Sequence, residues 1–192
     1  MSRSTVAIVK TTPATVLADY HRLMNLAGYQ DVVDRSADTA LKISWQHFYP
    51  SCSTTPWQLD GVIKAMLRDG YDRSLMHACH NRTVVVSART GERNNKHLNV
   101  VEHHGLRNIH LYDGEPWINV FEAVGALADD FLVLNKVYPK GFNIPKRFIG
   151  ENIIHLPTVK THIFTTTTGA MKNAFGGLLN EKRHWTHEVI HE

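Results

Sequence analysis

An α/β fold, with a mainly parallel sheet covered by helices on both faces, is what this sequence predicts. Three observations carry that expectation. Short β-branched or apolar runs alternate with apolar stripes at helical spacing, which is the pattern of strand-helix-strand units. One run, Arg82 to Ser87 (RTVVVS), is almost wholly β-branched, as in a strand buried on both faces. The 192 residues suit one domain, 1–192, able to bury roughly 70% of its unfolded surface.

The elements follow in order. Thr5 to Val9 (TVAIV) reads as a short strand, and after Pro13 the residues Val16, Leu17, Tyr20, Leu23, Met24 and Ala27 place one apolar stripe along a helix that Gly28 stops. Ala40 to Ser44 (ALKIS) is the next strand. The polar loop Trp45 to Thr54 leads to Thr55-Pro56, where threonine caps a helix and proline fits its first turn. Trp57, Val62, Ile63, Met66 and Leu67 form that helix's apolar face, which ends at Gly70. Beyond Arg82 to Ser87 come a loop at Ala88 to Asn95, a helix running to His104, and strands at Asn108 to Tyr112 and Phe131 to Leu134. Tyr138 to Ile149, with Pro139, Gly141 and Pro145, reads as a connection, and Asn152 to Leu156 as the last strand.

Composition narrows the function. Lys and Arg number 21 against 18 Asp and Glu, a net charge of +3 with the basic residues scattered, so nucleic-acid binding is not expected. Cys52 and Cys79 stand far apart in no C-x-x-C spacing, which points away from a disulfide framework and from an iron–sulfur cluster held by this chain alone. Neither a signal-peptide stretch nor a run of 18 apolar residues occurs, so the expectation is a cytoplasmic chain with no membrane span.

Open α/β sheets bind ligands beyond the carboxyl ends of their strands. Three polar loops fall there: Trp45 to Thr55, Ala88 to Asn95, and Pro157 to Gly169. The third is richest in polar groups. Lys160 and His162, one residue apart, project to the same side of an extended chain and could bind an anion or move protons. Thr165 to Thr168 and Gly169 then offer hydroxyls and unpaired N–H groups at a helix start, where Lys172 adds charge and Asn173 a polar contact. A phosphate or carboxylate of a small molecule is the expected ligand, with Lys160, His162 and Lys172 as the reactive set. Thr158, Thr167, Thr168, Gly169 and Asn173 would bind beside them, joined by Arg93 and Asn94 from the second loop. Trp45 to Tyr49 reads as a lid or as aromatic cover.

His187 to His191 is a formal H-E-x-x-H match, and His184, His187 and His191 share one side of a helix, so a metal-dependent hydrolase using them is an alternative. The chain ends one residue later, without the downstream ligand such enzymes add.

The string HLPTVKTHIFTTTTGAMKNAFGG at His155 to Gly177, with TTPWQLDGVIKAMLRDGY at Thr54 to Tyr71 and VAIVK at Val6 to Lys10, resembles the domain-of-unknown-function family 362. The resemblance runs over essentially the whole chain. Its members are often described as iron–sulfur-associated or uncharacterised, and some carry ferredoxin-like cysteine motifs. Since two cysteines do not hold a four-cysteine cluster, the resemblance implies a partner or regulatory module of an iron–sulfur redox system, with a redox protein as partner. Family chains commonly continue beyond the equivalent of Glu192, which implies that this chain is the amino-terminal portion of a longer family domain.

Overall fold

The computed structural model describes residues 4–44, 52–82, 87–125, 130–131, 134–163 and 165–178. Four parallel strands form the main sheet: β1 (Thr39–Ile43), β2 (Met76–His80), β3 (Arg107–His110) and β6 (Asn152–Leu156). Their order is β3-β2-β1-β6. Two antiparallel ladders stand apart from it, one joining β4 (Trp117–Asn119) to β5 (Asn143–Pro145), the other joining β7 (Lys160–His162) to β8 (Thr166–Thr168).

The helices are α1 (Val16–Leu26), α2 (Pro56–Arg68), α3 (Ala88–Asn94), α4 (His97–His104), α5 (Val120–Val124), α6 (Leu134–Val137) and α7 (Ala170–Leu178). Alternation along the strands sends Leu41, Ile43, Met76 and Ala78 to one face, where they pack with Leu59, Val62, Ile63 and Met66 of α2, Ala88 of α3 and Val101 of α4. Helix α1 lies against α2. Ala40, Cys79 and Leu111 occupy the other face, covered by Phe148 with Trp117, Ile109 and Ile153 alongside. Helix α7 closes this second face, packing on β6 and β1. Helices thus cover both faces of a parallel sheet.

Local sequence explains the ends of the elements. Thr55 caps α2 by accepting from the Gln58 N–H at 3.3 Å, with Pro56 opening the helix. Gly28 ends α1 at φ +70°, a left-handed geometry open to glycine at no steric cost.

Several expectations need correction. Thr5 to Val9 makes no strand: Val6 and Ile8 are 81% and 88% exposed, and among the described residues no neighbouring strand pairs with them, so β-branched propensity alone does not order the run. Ala88 to Asn95 is helical as α3, because Asn95 and Gly91 bond back to Gly91 and Ser87 and Ala88 is buried beneath it. The central strand after α2 is Met76–His80, while the expected run Arg82 to Ser87 lies outside the described residues over 83–86. The expected strand Phe131 to Leu134 likewise lies outside them over 132–133, and Leu134 opens α6. Part of the Pro157 to Gly169 loop is the β7–β8 hairpin, and the Tyr138 to Ile149 connection contains β5.

Candidate functional site at the carboxyl edge of the sheet

The chain runs β1 to β2 to β3 in one direction and then returns to place β6 on the other side of β1. The strand order therefore reverses between β1 and β6, and loops diverge there to leave room for a ligand. Thr54, fully buried, ties that edge together. Its hydroxyl accepts from the Ser44 N–H at 2.9 Å and donates to the Leu156 carbonyl, bridging the ends of β1 and β6.

The hairpin sits directly beyond β6. Its register sets Lys160 opposite Thr168 and His162 opposite Thr166, so these four side chains share one face while Thr161 and Thr167 take the other, exposed one. Lys160 and His162 do project together, as their spacing required. The Lys160 ammonium donates to the main-chain carbonyl of Cys52, so the first and third polar loops meet. Burial lowers the Lys160 pKa from its ordinary value. His162 accepts at Nδ1 from the Thr165 N–H at 3.3 Å.

Thr168 leads into α7. It is 5% exposed, and its hydroxyl oxygen has no hydrogen-bond partner among the described residues. Gly169 follows, its carbonyl accepting from the Asn173 N–H at 3.0 Å as α7 begins. The Asn173 side chain turns into the sheet, donating to the Lys42 carbonyl at 2.9 Å and lying 3.4 Å from His155 Nδ1. Lys42 and His155 are register neighbours on β1 and β6, on the same face. Burial and then the Lys42 charge push the His155 pKa down to about 4, so its imidazole is neutral at pH 7. Two lysines therefore underlie one short helix start, Lys42 buried in the sheet and Lys160 half-buried on the hairpin. At its far end α7 is fastened to β2, where the Asn81 side-chain amide donates to the Gly176 carbonyl at 3.0 Å.

The remaining expected site residues separate into groups. Thr158 is half-buried in the turn between β6 and β7, and Lys172 is half-buried in the first turn of α7. Arg93 and Asn94 are exposed on α3, whose Glu92 reaches β3 at the other side of the sheet, so they sit apart from the Lys160 hairpin. Trp45 to Tyr49 and the histidines His184, His187 and His191 lie outside the described residues. Sequence reasoning missed Lys42 as a site residue. The signal was present, since a lysine inside the apolar run ALKIS has to be accommodated by burial.

Fold and site define the class: a parallel α/β domain with a cation-rich strand-hairpin-helix segment at its switch point. The chain belongs to the family described as Domain of unknown function (DUF362), whose match covers residues 39–192. That span begins at β1 and leaves α1 outside it. Neither a curated protein nor a solved structure matches the chain. Among the described residues, no helix is long and apolar enough to cross a membrane.

Proposed function

We propose that the β1–β6 edge binds an anionic small molecule or cofactor through a phosphate or carboxylate group seated at the start of α7. The observation that carries this reading is Thr168, whose buried hydroxyl has no hydrogen-bond partner among the described residues at the point where α7 begins, opposite Lys160 in the hairpin. A helix start presents unpaired N–H groups and the positive end of its dipole. Lys160 and Lys172 supply full charge, Thr158 supplies a hydroxyl, and Gly169 lets the ligand approach the main chain, while Thr167, expected beside them, faces the other side of the hairpin. Neutral His155, below Asn173, can accept or pass on a proton at that position. Nothing among the described residues favours an iron–sulfur partner over this ligand.

Calorimetric titration of the full chain with inorganic phosphate, pyrophosphate and a dicarboxylate tests the reading. Binding should weaken at least about tenfold in Lys160→Ala and in Lys172→Ala, as lost charge-assisted contacts require. Affinity that survives both substitutions would place the anion elsewhere.

A further inference from the structure

On the opposite face of the sheet, at the same carboxyl edge, three buried side chains converge. His80 ends β2 and His110 ends β3, and the two are register partners. Their rings stack with centroids 5.1 Å apart and planes 20° from parallel. Helix α3 turns Glu92 into this corner, where Oε2 lies 3.0 Å from His110 Nε2 and 3.3 Å from His80 Nε2. One nitrogen or oxygen of each of the three residues lies within 4.8 Å of those of the other two.

The hydrogen bonds do not close. His110 Nε2 donates to Glu92 Oε2, and so does the Asn108 side-chain amide at 3.0 Å. His80 is 0% exposed, yet among the described residues neither ring nitrogen has a hydrogen-bond partner, because the 3.3 Å approach to Glu92 falls outside hydrogen-bonding geometry. Two further atoms nearby are orphaned, Asn108 Oδ1 and His97 Nδ1. Leaving a buried polar group unpaired is costly, so several in one corner call for a partner.

Charge points the same way. Glu92 is 2% exposed, and its carboxyl is held below the usual range: burial pushes it up, and hydrogen bonds from His110 and Asn108 outweigh that push. Among the described residues its ion-pair partners are the two histidines alone. A buried carboxylate ordinarily pairs with a cation or coordinates a metal ion.

We propose that His80, Glu92 and His110 form a binding site for a divalent transition-metal ion of borderline softness, with zinc as the reference ion. Two imidazoles and one carboxylate suit zinc, cobalt or iron(II) rather than calcium or magnesium, which take oxygen ligands. The ion occupies the point the three donors share and gives His80 Nε2 the partner it lacks. The Asn108 amide orients the carboxylate, as groups hydrogen-bonded to metal ligands commonly do. Three protein ligands leave a fourth position for water or for Asn108 Oδ1.

The test uses the full, untagged chain stripped with a chelator. Zinc competition against a chromophoric chelator should give one tight equivalent, and cobalt(II) the strong visible absorption of a low-coordinate site. Glu92→Gln and His110→Ala should each weaken zinc by more than the roughly 10- to 100-fold that follows loss of an outer partner. Replacing His184, His187 and His191 together by alanine should leave that equivalent in place. Zinc that persists at equal affinity in Glu92→Gln, is lost with the three carboxyl-terminal histidines, or fails to bind the unaltered chain overturns the proposal. If a ligand substitution unfolds the chain, zinc-edge X-ray absorption of the triple-alanine variant decides: two imidazoles with oxygen support the site, and sulfur or a single imidazole overturns it.

Discussion

Asn173 donates its side-chain amide to the main-chain carbonyl of Lys42 across 2.9 Å, joining residues 131 positions apart. The bond is buried and fastens the first turn of α7 to β1, so the helix start proposed to bind an anion is set by the sheet rather than by the hairpin alone. Asn173→Ala should lower stability by about 1–2 kcal/mol, the usual cost of stranding a buried carbonyl. Urea unfolding of the full chain measures it, and an unchanged midpoint would show that α7 docks by other contacts.

His155 makes stability depend on pH. Its folded pKa, about 4, lies below the ordinary value of 6.5. The unfolded chain therefore binds more protons between those values, and stability, complete above pH 6.5, falls as pH drops through 6.5 toward 4. His80 and His97, also held neutral by burial, act with the same sign. His155→Gln should flatten part of the decline, read as urea midpoints at pH 7, 6, 5 and 4. A parallel decline in wild type and variant would remove His155 from the account.

Thr54 holds the ends of β1 and β6 together, and its main-chain carbonyl also accepts from His97 Nε2 at 2.6 Å. Thr54→Val keeps the shape and removes the hydroxyl, leaving a buried N–H and a buried carbonyl unpaired. A loss of about 3 kcal/mol is expected. Thr54→Ser keeps the hydroxyl and should cost only about 1 kcal/mol for the missing methyl. Equal losses in thermal melts of the two variants would assign the effect to packing.

Gly61 faces Tyr20 where α2 meets α1, and a Cβ there would collide with the tyrosine ring. Alanine is the better helix former by about 1 kcal/mol. The collision should still win, lowering stability by about 1–3 kcal/mol as α1 is pushed from α2. A melting temperature that rises in Gly61→Ala would mean that Tyr20 swings aside without cost.

Stretches whose local pattern and tertiary environment agree were legible before folding. The apolar stripe of α2 with its Thr55-Pro56 start, the apolar run of β1, and the strand and helix start that flank the Lys160 loop are of this kind, whereas the hairpin within that loop is not. β2 was not legible: in Met-His-Ala-Cys-His the histidines break the apolar run, and only the register with β1 and β3 shows all five residues buried. Thr5 to Val9 failed in the opposite sense, with strand propensity but no neighbouring strand among the described residues.

The sequence by itself determined an α/β protein of the DUF362 family whose densest polar stretch lies between the last strand and a helix start. Spacing also showed that Lys160 and His162 face one way, since side chains alternate along any extended chain. Only the tertiary structure decided that Lys42 lies beneath that stretch, that Arg93 belongs elsewhere, and that Glu92 meets His80 and His110. Those meetings depend on strand order and on which face a crossover helix covers. Both are set by long-range burial across the sheet, to which local periodicity is blind.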